Sequence, residues 1–140
     1  MEGLHRSFGD NRAVRPLDLE IQPGTLFGLL GPNGAGKTTT LRMLATLLRP
    51  SGGTARVGNH DIRTDRLGVR LHIGYLTGST GLYERLTPDE ILQYFGKLYG
   101  MNAHSISERI EELVGGLEIE PFRRQRCGTL STGQQQKVSI

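Results

Sequence analysis

The octet Gly31-Pro32-Asn33-Gly34-Ala35-Gly36-Lys37-Thr38 stands between an apolar run, Thr25 to Leu30, and a segment whose Leu41, Leu44, Ala45 and Leu48 recur at helical spacing. The order strand, glycine-rich turn, helix is that of a G-x-x-x-x-G-K-[ST] phosphate-binding loop. Closely spaced glycines permit backbone conformations closed to other residues, so successive N–H groups can converge on an anion. The ammonium of Lys37 then reaches the outer phosphates, and the hydroxyl of Thr38 is placed to ligate Mg²⁺. A glycine-rich turn that merely contains a lysine is the alternative, and the flanking strand and helix signals weigh against it. A chain built around this octet is expected to bind nucleotide.

Composition narrows the class. With 140 residues, 36% of them hydrophobic, the chain is long enough for a single core. No run approaches the ~18 apolar residues of a membrane helix, and Met1 to Arg6 lacks an apolar signal region, so a cytoplasmic protein is expected. Cys127 is the only cysteine, which excludes an intrachain disulfide. His5, His60, His72 and His104 are scattered without metal-ligand spacing and read as structural or surface residues. The net charge of +3 is too small to argue for nucleic acid. The densest basic cluster, Arg123-Arg124-Gln125-Arg126, has no aromatic residue interleaved to stack on a base, and reads as a solvated face.

Leu17, Leu19 and Ile21 alternate with Asp18 and Glu20, the period-two pattern of a half-buried strand, before Gln22-Pro23-Gly24 turns the chain. Thr54 to Val57 reads as a short strand, Asp65 to Arg70 as a polar helix, and Ile73 to Leu76 as a second buried strand. Helical signals then take over. Thr87-Pro88-Asp89-Glu90 is a capping box with proline at the first helical position, and Ile91, Tyr94, Phe95 and Leu98 mark one face as core. Ser105 to Glu108 offers another box ahead of Ile110, Leu113, Val114 and Leu117. The expected class is α/β with a helical arm.

A second motif stands at Leu130-Ser131-Thr132-Gly133-Gln134. Its residues open a helix whose N–H groups, hydroxyl and dipole suit an anion, although Ser-Thr-Gly is also an ordinary N-cap. Taken together, the two motifs resemble those of the ATP-binding subunit of an ABC transporter, and the similarity covers essentially the whole chain. Phe27 to Leu41 looks like that family's phosphate-loop region, Leu130 to Gln134 like its signature motif, and Phe8 sits where the family places an aromatic residue stacking on adenine. The resemblance implies a P-loop NTPase core with a small antiparallel β subdomain and an inserted helical subdomain, incomplete at the C-terminus. Residues 1–76 would form the nucleotide-binding core and β subdomain, 77–130 the linking loop and helical subdomain, and 131–140 the signature helix.

The same resemblance implies ATP and Mg²⁺ as ligands. Gly34 to Thr39 would cradle the phosphates, with Lys37 neutralising β and γ charge and Thr38 holding Mg²⁺. Ser131 and the N–H of Gly133 would contact the γ-phosphate across a head-to-tail dimer with a second ATP-binding subunit, identical or not. Transmembrane permease subunits would be the driven partners, at the inner face of the cell membrane, with no nucleic acid involved. The run Leu76 to Tyr83 is similar to the sodium-export branch. A non-transport ABC ATPase, or a module that closes on ATP without hydrolysing it, is the alternative.

Three departures from the family pattern stand out. No apolar run ending in Asp-Glu lies within the 140 residues, so the water-activating half is expected to be absent and turnover negligible. Thr77, Gly78 and Ser79 replace the usual glutamine. Thr132 stands where glycine is common. The first strand is expected to be cut short at Met1, leaving the central sheet with an exposed apolar edge.

Overall fold

The computed structural model describes residues 1–77 and 81–140, and the replaced-glutamine positions Gly78 and Ser79 lie outside them. The chain divides into two units, Met1–Tyr75 and Leu76–Ile140.

In the first unit, β1 (Glu2–Phe8) and β2 (Asn11–Leu17) form an antiparallel hairpin across Gly9 and Asp10. After α1 (Lys37–Leu44), β3 (Gly52–Thr54) pairs antiparallel with the other edge of β1, giving the order β2-β1-β3. A separate ribbon joins β4 (Arg56–Val57) to β5 (His60–Asp61), and α2 (Arg66–Leu71) follows. Leu4, Val14, Met43, Ala55, Ile62 and Val69 close the core between these elements. Buried Thr46, in a left-handed conformation just past α1, accepts Arg66 Nη2 at its carbonyl (2.7 Å) and Arg70 Nε at its hydroxyl (2.8 Å). These bonds tie the residue just past α1 to α2 and satisfy the carbonyl and hydroxyl of buried Thr46.

Several expected elements differ. Thr25 to Leu30 and Ile73 to Leu76 are not strands, and Leu26 and Leu30 are fully exposed. A buried parallel strand is held by neighbours on both edges, and among the described residues no strand flanks either run. The strand expected over Leu17 to Ile21 lies upstream instead. β1 is a full seven-residue strand whose partners are Asn11 to Leu17, which leaves Leu19 only the terminal Met1 to bond with. β1 itself was not expected at this length, because Glu2 to Phe8 mixes polar and apolar residues without a clear period.

In the second unit, α3 (Pro88–Leu98) opens on the expected capping box, with both Thr87 and Glu90 bonding each other's backbone N–H. α4 (Ala103–Gly116) starts one turn earlier than Ser105 suggested, because Asn102 Oδ1 accepts from Ser105 N at 2.9 Å and caps it. Short 3₁₀ turns at Glu120–Phe122 and Cys127–Thr129 lead to α5 (Thr132–Ser139). Ile91, Ile106, Ile110, Val114, Ile119, Phe122, Cys127, Leu130 and Val138 form this unit's core. Burial, with Glu90 nearby, pushes the Cys127 thiol pKa up, so it behaves as a small apolar side chain.

The face of α3 differs from the expected one. Ile91 is buried, but Tyr94, Phe95 and Leu98 are exposed. Gly96 lies so near Ile106 that a Cβ there would come within 2.7 Å of Ile106 Cγ1. That close approach draws the side of α3 carrying Leu92 and Gly96 onto α4, and rotates Tyr94 and Leu98 outward.

The basic cluster is not uniformly solvated either. The Arg123 side chain is only 14% exposed and meets three carboxylates: Asp89 of α3 in a two-oxygen contact (3.0 and 3.1 Å), Glu111 of α4 (2.7 Å) and Glu120 (2.9 Å). Removing it would leave the largely buried Asp89 carboxylate unpaired, while Glu111 and Glu120 turn to solvent, so Arg123→Ala should lower the stability of the helical unit by about 1–3 kcal/mol. The guanidinium holds the Glu111 carboxyl below its ordinary value of 4.5. A depressed carboxylate stabilises the fold above that value and loses its contribution as pH falls. Denaturation followed between pH 7 and 3 should therefore show a steeper acid loss in the native sequence than in Arg123→Ala.

Candidate nucleotide-binding site

Three glycines of the loop have positive φ: Gly31 (154°), Gly34 (82°) and Gly36 (83°). At Gly36 the conformation is doubly required. A Cβ there would lie 2.4 Å from the Ala13 carbonyl oxygen and 2.9 Å from Val14 Cγ2, so the loop rests directly on β2. Gly36 is also the N-cap of α1, and no side chain caps that helix. The first helical bond runs from Thr40 N to Gly36 O (2.8 Å), supported by the Thr40 hydroxyl on the same oxygen (3.0 Å). The N–H groups of Lys37, Thr38 and Thr39 have no acceptor among the described residues. Uncapped N–H groups at the positive end of a helix dipole form an anion site.

The charges nearby agree with that reading. Lys37 Nζ folds back across the loop and donates to the carbonyls of Gly31 (2.6 Å) and Pro32 (2.7 Å). Gly31, Pro32, Asn33, Gly34, Ala35 and Thr38 are exposed, and the Thr38 hydroxyl makes no hydrogen bond among the described residues. A cleft of about 430 Å³ beside the loop is lined by Arg12, Arg15 and Lys37 together with Val14, Gly34 and Ala35. Arg12 and Arg15 carry no sequence signal for this role, because only the packing of β2 under the loop brings them there. Loop and cleft fit a polyphosphate. Phe8 closes β1, is 48% exposed, and carries the Arg6 guanidinium 4.5 Å above its ring; it is not among the residues lining the cleft.

In the second unit, Ser131 is the N-cap of α5. Its Oγ accepts from Gln134 N (3.3 Å), and Gln134 Oε1 accepts from Ser131 N (2.9 Å). The ordinary cap reading of Ser-Thr-Gly therefore holds here, and it leaves the hydroxyl proton of Ser131 available. Gly133 needs no unusual backbone, and a Cβ on it would meet nothing within 4 Å.

The ABC transporter family model matches residues 14–140, a span containing both motifs. The chain belongs to the ABC-transporter ATP-binding family. It is 48% identical to the ABC transporter ATP-binding protein NatA of Bacillus subtilis over 92% of this chain and 53% of that protein. With the daunorubicin/doxorubicin resistance ATP-binding protein DrrA of Streptomyces peucetius it shares 42% identity, over 99% of this chain and 42% of that one. The chain thus spans about half the length of the curated relatives it matches. Its fold is that of cbiO1 from Clostridium perfringens, part of the ABC transporter complex cbiONQ, with a TM-score of 0.85 at 23% identity over 99% of this chain and 57% of the other. Members of this ABC family are ATPases. No helix among the described residues is long and apolar enough to cross a membrane.

The two glycines at the helix starts differ in what they tolerate. Gly36→Ala should destabilise the first unit by roughly 1–3 kcal/mol, through positive φ and the Ala13 contact, whereas Gly133→Ala should stay within about 0.5 kcal/mol of the native sequence. Thermal or urea denaturation of the two variants distinguishes these outcomes.

Proposed function

We propose that this chain is the nucleotide-loading part of an ABC transporter ATPase, taking Mg-ATP on the loop Gly31 to Thr39. The observation that carries this reading is the uncapped start of α1, where three backbone N–H groups and Lys37 stand ready for phosphate oxygens. On ATP binding, Lys37 exchanges the Gly31 and Pro32 carbonyls for β- and γ-phosphate oxygens. Thr38 gives its hydroxyl to Mg²⁺, and the glycine N–H groups hold the remaining charge. Phosphoryl transfer relies on such placed positive groups more than on covalent help.

Ser131 and Gly133 serve a second role in this proposal. They present a hydroxyl and a helix N-terminus to the γ-phosphate held by a second ATP-binding subunit, closing a head-to-tail pair. Phe8, 48% exposed with Arg6 over one face of its ring, stacks on adenine in the loaded state. Closure on ATP would drive transmembrane permease subunits at the inner face of the membrane. The similarity of Leu76 to Tyr83 to the sodium-export branch supports export as the direction. In this proposal the 140 residues, which contain no apolar run ending in Asp-Glu, supply the nucleotide-loading groups and not the water-activating carboxylate. No Asn-Lys-x-Asp guanine-reading motif occurs, which favours ATP over GTP.

ATP affinity measured with and without Mg²⁺, alongside phosphate release, tests the proposal. The native chain should bind ATP in preference to GTP and release phosphate at no more than background. Lys37→Ala should weaken binding by about 10- to 100-fold, the worth of charge-assisted hydrogen bonds to phosphate. Equal affinity in Lys37→Ala, or robust turnover by the native chain, would overturn it.

A further inference from the structure

His60 and His72 are separated in sequence, but the fold brings their ring centroids to 4.5 Å with planes tilted by 37°. His60 lies on β5 and His72 is the C-cap of α2. Each ring is pinned through Nδ1: His60 to Asp65 Oδ2 at 2.6 Å, and His72 to the Gly68 carbonyl at 2.8 Å. A carboxylate and a carbonyl can only accept, so both Nδ1 atoms carry the proton and each neutral ring keeps its lone pair on Nε2. The two anchors belong to one turn. Asp65 is the N-cap of α2, and its Oδ1 accepts from Gly68 N at 2.9 Å. Both rings therefore hang from the start of α2 with Nε2 directed away from their anchors, and neither Nε2 is hydrogen-bonded to another described residue.

We propose that His60 and His72 form a two-imidazole site for a divalent transition-metal ion, of which Zn²⁺ is the natural probe. Imidazole nitrogen binds zinc at about 2.0 Å, which puts each ring centroid roughly 3.2 Å from the ion. For N–metal–N angles of about 90–110°, the two centroids then lie about 4.5–5.2 Å apart, a range that includes the observed separation. The outer contacts also match the chemistry. Metal-binding histidines commonly give their second N–H to a carboxylate or a backbone carbonyl, which fixes tautomer and orientation, and this pair has one of each. No group of three or more metal-ligating side chains occurs among the described residues, so water completes the coordination and affinity falls below that of closed four-ligand sites. A bound ion would link β5 to the end of α2 within the first unit. The other two histidines lack the arrangement: His5 packs alone over Gly52, and His104 faces Glu108 on the exposed side of α4.

Calorimetric titration of the intact chain with ZnCl₂, in nucleotide-free and phosphate-free buffer, tests the site. One equivalent should bind. His60→Asn and His72→Asn should each weaken it at least about tenfold, and Asp65→Asn by about 10-fold, the usual worth of an outer contact. His104→Asn should leave it unchanged. No saturable binding, or equal affinity in the His60 and His72 variants, would overturn the proposal. Should those variants not fold, the native chain decides by footprinting. Zn²⁺ should protect His60 and His72, but not His104, from carbethoxylation, and modification of both at the metal-free rate would overturn it.

Discussion

The contact between Gly36 and the carbonyl of Ala13 is the constraint on which the site depends. Because Gly36 has no Cβ, the loop lies flat on β2, and because its φ is 83°, the chain turns straight into α1 without a capping side chain. A helix that starts this way leaves its own N–H groups unsatisfied, and phosphate oxygens are the natural acceptors. The same contact fixes Arg12 and Arg15 beside Lys37, so hairpin and loop contribute to one basic cleft. Hairpin stability and anion binding are thus coupled through a single residue without a side chain.

The second unit solves its problem differently. Its helices are capped by their own side chains at Thr87, Asn102 and Ser131, and tied by Arg123 to carboxylates of α3, α4 and the turn after α4. At α5, however, the capping hydroxyl stands beside the N–H groups of Thr132 and Gly133, which no described residue accepts.

Much of this was legible locally. The phosphate loop, the Thr87 box and the Ser131 cap depend on residues a few positions apart, and such short-range chemistry survives any tertiary context. What escaped reading was decided at a distance. Thr25 to Leu30 has a strand's composition but no partner strand among the described residues. Tyr94 and Leu98 have a core pattern, yet the Gly96 and Ile106 contact turns them outward. Arg123 looked like one of several surface arginines until three carboxylates from separate elements met around it. The histidines lack ligand spacing along the sequence, although β5 and α2 bring His60 and His72 into contact. In each case the deciding atom lies on another element.

Backbone resonances of a ¹⁵N-labelled chain titrated with Mg-ATP provide the most direct measurement of the central claim. The amides of Gly34, Gly36, Lys37, Thr38 and Thr39 should shift together and saturate with one common affinity, because they converge on the same phosphates. Shifts that leave these amides unmoved while ATP binds elsewhere would contradict the account.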